Sequence, residues 1–136
     1  MAISDLPVFQ ILKAKMQWHQ ARQGVLSQNV ANADTPGYRG HDLKAFDFAR
    51  ELSLASSGLD TATTSRGHIA GSLRATGIGS REQEVEPFEI TPDGNSVVLE
   101  EEMMKVTENQ LDYQAVTTLY SKSLGLIRSA LSSRGG

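Results

Sequence analysis

The residues that could carry chemistry are few and far apart in the chain. The three histidines are His19, His41 and His68, and no two of them have the four-residue spacing that places two imidazoles beside one metal ion on a helix. There is no cysteine, which excludes thiolate metal sites, disulfide bonds and thiol catalysis. The sequence therefore predicts no metal site and no bound cofactor.

Two acidic residues and two glycines are the remaining candidates for a catalytic or binding motif. Glu84 and Glu86 could lie on one face of an extended segment, as the carboxylate pair of a glycoside hydrolase must, but a proline follows at once. Gly77 and Gly79 are spaced like the start of a dinucleotide-binding loop, yet Glu82 stands where the third glycine would be. A solvated acidic edge is the preferred interpretation, and we expect no enzyme activity.

The overall charge and the distribution of apolar residues exclude further classes of partner. The 136 residues carry a net charge of -3, so no strong basic field favours nucleic acid or an anionic membrane. No apolar stretch approaches the roughly 18 residues that span a bilayer. The first residues also lack the basic region and the unbroken apolar core of a secretory signal peptide. We expect no nucleic-acid partner and no membrane span.

The first long amphipathic segment begins close to the N-terminus. Its apolar residues recur at alternating steps of three and four, at Ile11, Ala14, Trp18, Ala21 and Val25. This spacing places them on one face of a helix. We predict a helix over about 6–31.

The last segment keeps the same spacing for more than four heptads, which is typical of a long helix in a coiled-coil-like pair. The stripe comprises Leu99, Met103, Val106, Gln110, Tyr113, Thr117, Tyr120, Leu124, Ile127 and Leu131. A second set of residues widens it and comprises Met104, Leu111, Ala115, Leu119, Leu126 and Ala130. A stripe of this width predicts that more than one neighbour packs against the helix.

The stretch between the two helices is rich in glycine, serine and threonine and has no sustained apolar periodicity. It predicts a loop or linker, with a short extended segment at "VEPFEI" (85–90) and a turn at "TPDGN" (91–95). We divide the chain into an N-terminal helix with its turn (1–45), a flexible linker that could hold short strands (46–95) and a C-terminal helix (96–136). The predicted fold is mainly α, with the two long helices packed as an antiparallel, coiled-coil-like pair joined by a partly extended or flexible linker.

The stretch "SQNVANADTPGYRG", residues 27–40, concentrates turn-forming residues at the end of the first helix. Asn32 belongs to the few residue types that adopt the left-handed conformation at small cost, so it can end a helix. Thr35 is pushed towards an extended conformation by the proline after it. Pro36 and Gly37 fit the two central positions of a type II turn, and Tyr38 then projects its ring from the exit.

Two stretches of the chain resemble one known family. "NVANADTPGYRG", residues 29–40, resembles the signature Asn-[Ile/Val]-Ala-Asn-x-x-Thr-Pro-Gly-Tyr of the bacterial flagellar rod, hook and hook-associated axial proteins. "DGNSVVLEEEMMKVTENQLDYQAVTTLYSKSLGLIRSAL" resembles their terminal helix, and the short length is most similar to the proximal members of the basal-body rod protein family. The resemblance covers about residues 5–45 and 93–131. That family usually has aspartate where Val98 stands, so Asn95 or Ser96 is expected to cap the C-terminal helix instead.

The resemblance implies a structural role. In these proteins the N- and C-terminal helices pack together and against neighbouring subunits, forming the inner tube around the export channel. The resemblance therefore implies a component of the proximal rod of the flagellar basal body that transmits torque. The implied partners are copies of the chain itself, other rod proteins, the rotor (MS) ring adaptor and the export gate. The implied location is the periplasmic rod, reached by export from the cytoplasm without a cleaved signal peptide.

The residues expected to form the assembly interface and the turn are the packing positions of both helices and the signature itself. They are Ile11, Trp18, Val25, Asn29, Asn32, Thr35, Pro36, Gly37, Tyr38, Leu99, Met103, Val106, Tyr113, Tyr120, Leu124, Ile127 and Leu131. Two alternatives remain, namely another rod component of the same family and a rod-associated peptidoglycan hydrolase that uses Glu84 and Glu86. The free chain is expected to be largely monomeric, because two helices joined by a linker bury too little surface to offset their ordering entropy.

Overall fold

Two long helices dominate the protein, whose computed structural model describes residues 6–56, 82–86 and 89–133. In chain order the elements are helix α1 (Pro7–Ala31), strand β1 (His41–Leu43), helix α2 (Phe48–Ser56), strand β2 (Glu82–Glu84) and helix α3 (Leu99–Ser132). The mainly helical fold predicted from the sequence is confirmed. The sequence analysis also considers His68 as a metal ligand and Gly77 and Gly79 as a dinucleotide-binding loop, and these three residues lie outside the described residues.

α1 and α3 pack along each other in opposite directions. The ring of Phe9 meets that of Tyr120 edge to face, with 5.4 Å between the ring centroids. At the other end of α1, Asn29 Nδ2 donates a hydrogen bond to Glu102 Oε2. A residue near the start of α1 thus contacts a late residue of α3, and a residue near the end of α1 contacts an early residue of α3. This confirms the predicted antiparallel pair. α3 has 34 residues and α1 has 25, so α3 is longer by about 14 Å.

The apolar core lies mainly on α1, which contacts α3, α2 and β1. The buried apolar residues are Phe9, Ile11, Leu12, Trp18, Val25 and Leu26 on α1, with Leu43, Val97 and Val116 from elsewhere in the chain. Fully burying one large apolar side chain stabilises a fold by about 1.5–3 kcal/mol. Since Val116 is the single buried apolar residue of α3 in its described range, the contact between the two long helices depends on polar groups as well.

The face of α3 that packs on α1 includes Tyr120 of the apolar stripe predicted from the sequence, but its most buried residues are displaced from that stripe. The buried residues of α3 are Glu102, Asn109 and Val116, each one position before a residue of the predicted stripe. Leu99 and Met103, which begin that stripe, are exposed. The displacement arises because the predicted stripe follows apolar residues, whereas two of the three buried positions are polar.

A two-stranded antiparallel sheet connects the exit of α1 to a later part of the chain. β1 and β2 pair in a register that places His41 opposite Glu84, and Val85 N–H donates to Gly40 O at 3.0 Å beyond the strand end. β2 therefore lies directly before the extended segment predicted at 85–90, of which residues 87 and 88 lie outside the described residues. All three residues of β2 are exposed, so no apolar alternation marks this strand in the sequence.

The sequence analysis did not predict α2, which lies where a linker was expected. Asp47 caps this helix, because its Oδ1 accepts a hydrogen bond from the N–H of Arg50 at 3.0 Å. α2 then packs against α1. A helix of nine residues is too short to show a sustained helical period, and its stability depends on this packing.

Candidate functional site

The chain leaves α1 through a tight turn at residues 35–38. The N–H of Tyr38 donates to the carbonyl oxygen of Thr35 at 3.2 Å, and Gly37 between them has a φ of +71°. Positive φ at the third residue is the requirement of a type II turn, and Pro36 occupies the second position as such turns favour. The predicted conformation of Gly37 is confirmed.

Asn32 ends α1 in a different way from that predicted. Its φ is -106° rather than left-handed, and its N–H donates to Gln28 O and Asn29 O. Its Nδ2 also donates to Gln28 O at 2.9 Å. Within the described ranges, positive φ is confined to Gly37 and Gly94. The last turn of α1 is therefore closed by hydrogen bonds from the backbone and side chain of Asn32.

A second turn, at residues 91–94, faces the first. The N–H of Gly94 donates to Thr91 O at 2.8 Å, and Gly94 has a φ of +84°, which confirms the turn predicted here. The N–H of Gly37 donates to Asp93 O at 3.0 Å. A Cβ added at Gly94 would lie 3.5 Å from Gly37 Cα. The two glycine turns therefore contact each other through their backbones.

Asn95 connects these two turns from a buried position. Its Nδ2 donates to the carbonyl oxygens of Asn32 at 2.9 Å and Thr35 at 2.7 Å. Its Oδ1 accepts from the N–H of Val97 at 2.7 Å. Asn95 is 2% exposed, and a buried amide requires such partners to offset its loss of water. The side chain thus holds the exit of α1 against the segment that enters α3.

Neither Asn95 nor Ser96 caps α3, contrary to the prediction. Ser96 Oγ accepts from the N–H of Gly40, and the N–H of Ser96 donates to Tyr38 O, both at 3.0 Å. Val98 is the N-cap residue and makes no side-chain cap hydrogen bond. Both residues therefore hold the exit turn of α1 instead of the first turn of α3.

Asn29 is the centre of these polar contacts and is fully buried. Its Nδ2 donates to His41 O at 2.6 Å and to Glu102 Oε2 at 2.8 Å. Its Oδ1 accepts from the N–H of His41 at 3.0 Å and from the hydroxyl of Tyr38 at 3.2 Å. One side chain thereby joins the end of α1, the exit turn and the start of α3. We call Asn29, the turns at 35–38 and 91–94, Asn95, Ser96 and Glu102 the double-turn site.

Glu102 places a carboxylate inside this site. The residue is 4% exposed, and its Oε1 accepts a hydrogen bond from Lys105 Nζ at 2.8 Å. A carboxylate at this depth is stable when it is both paired and hydrogen-bonded, and Lys105 and Asn29 supply the two requirements. Burial raises the pKa of the nearby Tyr38 phenol, and the charges of Glu102 and Glu82 raise it further.

A second polar contact joins the middles of α1 and α3. Asn109 Nδ2 donates to His19 O at 2.9 Å and to Gln23 Oε1 at 3.0 Å. Asn109 Oδ1 is therefore the acceptor that lies 2.7 Å from His19 Nδ1, so this ring nitrogen carries the proton. His19 Nε2 is buried and has no hydrogen-bond partner among the described residues.

The segment after the exit turn is held to α1 by Trp18 and Arg22. Trp18 Nε1 donates to Lys44 O at 3.0 Å. Arg22 donates two parallel hydrogen bonds to the carboxylate of Asp42, each of 2.9 Å, and its guanidinium lies 5.6 Å from the centre of the Trp18 ring. The hydrogen bond to Asp42 raises the pKa of Arg22. A bidentate pair of this kind fixes orientation as well as distance.

The residues predicted for the assembly interface and the turn divide by exposure. The buried ones are Ile11, Trp18, Val25 and Asn29. The half-buried ones are Asn32, Tyr38, Val106, Tyr113, Tyr120, Leu124 and Ile127. The exposed ones are Thr35, Pro36, Gly37, Leu99, Met103 and Leu131. The double-turn site brings the signature residues together, whereas the others are distributed along the two long helices.

Sequence reasoning missed the polar residues that complete these contacts. Asn95, Glu102 and Asn109 are buried, yet the sequence analysis places Asn95 in a turn or a helix cap and gives Glu102 and Asn109 no packing role. One signal could have found two of them, because Glu102, Asn109 and Val116 recur at seven-residue intervals. That spacing places them on one face of a helix.

The face of α3 opposite to α1 remains apolar and exposed. The exposed fractions are 73% for Met104, 61% for Leu111, 54% for Leu119 and 72% for Leu126. Of the described elements, α1 is the one that packs along α3. The wide stripe predicted from the sequence therefore corresponds to two faces, one of which the described part of the chain does not cover.

The described ranges also bear on catalysis, metals and membranes. They contain no group of three His, Cys, Asp or Glu side chains that could hold a metal ion. In the same ranges, no helix combines the length and the apolar character that crossing a bilayer requires. Glu84 lies 3.4 Å from Arg39, and both side chains are about half exposed, at 54% and 52%.

Comparison with known proteins points to one family. The family model described as "Flagella basal body rod protein" matches residues 16–39, which include the second half of α1 and the first turn. The chain is 35% identical over 130 residues to flagellar basal body rod protein FlgB of Aeromonas hydrophila, covering 95% of this chain and 96% of that protein. It is 33% identical to FlgB of Cereibacter sphaeroides, with 82% and 84% covered. It is 35% identical to FlgB of Escherichia coli, with 68% and 70% covered.

Proposed function

We propose that this chain, which belongs to the FlgB family of flagellar basal body rod proteins, is a structural subunit of the proximal rod. As a member of this family it is a component of the flagellar basal body rod. In our proposal it assembles with copies of itself and with other rod proteins. It joins them to the rotor (MS) ring adaptor and the export gate, lines the export channel and transmits torque.

The observation that carries this proposal is the division of α3 into two faces. The inner face is attached to α1 through Asn29, Glu102 and Asn109, which are all buried. The outer face, which is the face of α3 opposite to α1, exposes Met104 and Leu126 among others, and it is available to a partner. Contiguous exposed apolar surface of this kind marks protein contact sites. A structural subunit needs both features, because it must keep its own shape while it binds its neighbours.

The mechanism in this proposal is mechanical. Torque that passes from one subunit to the next loads the angle between α1 and α3. The double-turn site resists a change of that angle, because two side chains in it join the end of α1 to the start of α3. Asn29 of α1 bonds to Glu102 of α3, and Asn95, which precedes α3, bonds to Asn32 at the end of α1. Contacts between identical subunits that do not close on themselves generate a helical assembly, and no catalytic residue is required.

We propose further that the chain reaches the periplasmic rod by export from the cytoplasm without cleavage. The test is the N-terminal sequence of the protein recovered from purified basal bodies. An N-terminus that begins at residue 1 or 2 is expected. A processed N-terminus would overturn this part of the proposal and leave the structural role intact.

The assembly role is tested by Gly37→Val in cells that lack the native gene. Valine strains the positive φ of Gly37 by about 1–3 kcal/mol. We expect normal amounts of soluble protein but no complete rods and no swimming. Gly24→Val is the matched control, because Gly24 lies in α1 with no described atom within 4 Å of an added Cβ. Wild-type swimming by Gly37→Val cells would contradict the role of this turn in assembly.

The absence of catalysis is part of the proposal and has its own test. The ion pair between Glu84 and Arg39 at the surface supports a solvated acidic edge. Purified protein is expected to release no muropeptides from peptidoglycan. Release that is lost in Glu84→Gln or Glu86→Gln would establish a rod-associated hydrolase instead.

A further inference from the structure

The outer face of α3 has the same pattern of residues when it is read in either direction. We define this face by Met104, Glu108, Leu111, Ala115, Leu119, Lys122 and Leu126. The steps between these residues are four, three, four, four, three and four. At about 100° per residue they all fall within roughly 80° of the helix circumference. All seven are exposed, and Ala115 is the centre of the pattern.

We propose that a second copy of this chain covers the outer face in an antiparallel arrangement, with a two-fold axis at Ala115. In that arrangement Met104 lies opposite Leu126 of the partner subunit, and Leu111 lies opposite Leu119 of the partner subunit. Ala115 lies opposite its own copy, where a small side chain lets the two helices approach closely. The same surface is used by both copies, as a two-fold interface requires.

The charges on this face select the antiparallel orientation. Glu108 and Lys122 are equally distant from Ala115 along the helix, on opposite sides of it. The antiparallel pair therefore brings Glu108 against Lys122 of the partner subunit, and it does so twice. A parallel pair in register would place Glu108 against the partner subunit's Glu108, and Lys122 against the partner subunit's Lys122. Juxtaposed like charges disfavour that arrangement.

The length and the period of the face suit a stable contact. Met104, Ala115 and Leu126 are separated by steps of eleven residues, a period close to that of a straight α-helix. The face therefore runs along α3 for about 33 Å with a slight right-handed drift, and this length is nearly that of α1. The proposed dimer differs from the largely monomeric free chain expected from the sequence. It is a property of the free chain, and the two copies must separate before the outer face can bind neighbouring subunits in the proposed rod.

Single cysteine variants of the full chain test the orientation, because the chain contains no cysteine. Oxidised Ala115→Cys is expected to form a covalent dimer. Glu108→Cys alone and Lys122→Cys alone are expected to form no covalent dimer. In the antiparallel pair each of these cysteines lies about 21 Å along the helix from the same cysteine of the partner subunit, whereas a disulfide requires Cα atoms less than about 7 Å apart. A mixture of these two variants is expected to form the mixed dimer. Covalent dimers of all three single variants would show a parallel pair and overturn the proposal.

Two further controls make the cysteine test specific. Gln114→Cys lies next to Ala115 but about 100° away around the helix, so it is expected to form no covalent dimer after oxidation. Cross-linking of Gln114→Cys as fast as Ala115→Cys would indicate random collision and overturn the proposal. Failure of Ala115→Cys to cross-link would also overturn it.

Charge reversal with sedimentation equilibrium tests the affinity. Glu108→Lys is expected to raise the dimer Kd about tenfold, and the double variant Glu108→Lys with Lys122→Glu is expected to return it to within about threefold of the wild type. Arg128→Glu, on an exposed position away from the outer face, is the control and is expected to leave the Kd unchanged. A wild-type chain that sediments as a monomer or as an open series of oligomers overturns the proposal. The motility test of the rod function can succeed or fail independently of this result.

Discussion

Asn29 of α1 and Glu102 of α3, which are 73 positions apart in the chain, meet in a buried hydrogen bond of 2.8 Å. The same amide group also binds both backbone polar groups of His41 and the hydroxyl of Tyr38. Asn29 therefore uses two donors and two acceptor positions, which is its full capacity. One residue of the signature thus depends on a residue near the other end of the chain.

Replacement of Asn29 by alanine is expected to destabilise the chain strongly. Asn29→Ala removes four hydrogen bonds and leaves the buried carboxylate of Glu102 with Lys105 alone. Groups left unpaired in this way cost about 2–4 kcal/mol of the free energy of unfolding. The measurement is the urea midpoint of the full chain. Ser27→Ala is the control, because its hydroxyl bonds to Gln23 O at an exposed position, and a loss below about 1 kcal/mol for Asn29→Ala would contradict the central role of this amide.

The same substitution at two glycines is expected to change stability in opposite directions. Gly37→Ala is expected to lower the free energy of unfolding by about 1–2 kcal/mol, because its φ of +71° is unfavourable for a residue with a Cβ. Gly24→Ala is expected to raise it by about 0.5–1 kcal/mol, because Gly24 is inside α1 and alanine favours the helix. Thermal unfolding of both variants checks the signs. A stabilising Gly37→Ala would mean that residues 35–38 do not adopt this turn in solution.

The features that sequence reasoning predicted are those that local rules govern. α1 and α3 follow from apolar spacing over many turns of helix, and positive φ at Gly37 follows from the proline before it and the steric freedom of glycine. Gly94 belongs to the same class, because the "TPDGN" stretch marks its turn. Such rules need no knowledge of what packs against the segment.

The features that it missed depend on a partner far away in the chain. Glu102 and Asn109 are polar, and their burial becomes favourable when Asn29 and His19 supply hydrogen bonds. Asn95 or Ser96 is the expected helix cap, which is the local role of these residue types, whereas the buried amide of Asn95 bonds to the exit of α1. For this reason, the stripe predicted for α3 lies one position away from the buried residues of that helix.

Alkaline pH is expected to destabilise the double-turn site through Tyr38. Its pKa is raised in the folded chain, first by burial and then by the charges of Glu102 and Glu82. The folded state therefore holds the phenol proton more tightly than the unfolded state, whose tyrosine pKa is about 10. The resulting contribution of Tyr38 to the free energy of unfolding is fully present below pH 10, and it is lost as the pH rises through the pKa of Tyr38 in the folded chain.

The pH dependence of the urea midpoint between pH 8 and 11 checks this expectation. Tyr38→Phe should show a smaller fall above about pH 10 than the wild type, because its side chain has no proton to lose. Ser27→Ala, which leaves the phenol in place, should keep the wild-type slope. Equal slopes for Tyr38→Phe and the wild type would show that Tyr38 does not titrate differently in the folded chain.

The contact between His19 and Asn109 gives a prediction about the middle of the helix pair. Asn109→Leu leaves the buried Nδ1–H of His19 without its acceptor and Gln23 Oε1 without a donor. The loss is expected to be about 2–3 kcal/mol, since an unpaired buried donor keeps its full desolvation cost. Gln114→Leu, on an exposed position of the same helix, should change stability by less than about 0.5 kcal/mol. The nitrogen chemical shifts of His19 provide a second readout, because Nδ1 should carry a proton in the wild type. An Nε2–H tautomer would contradict the hydrogen-bond network that joins the two helices here.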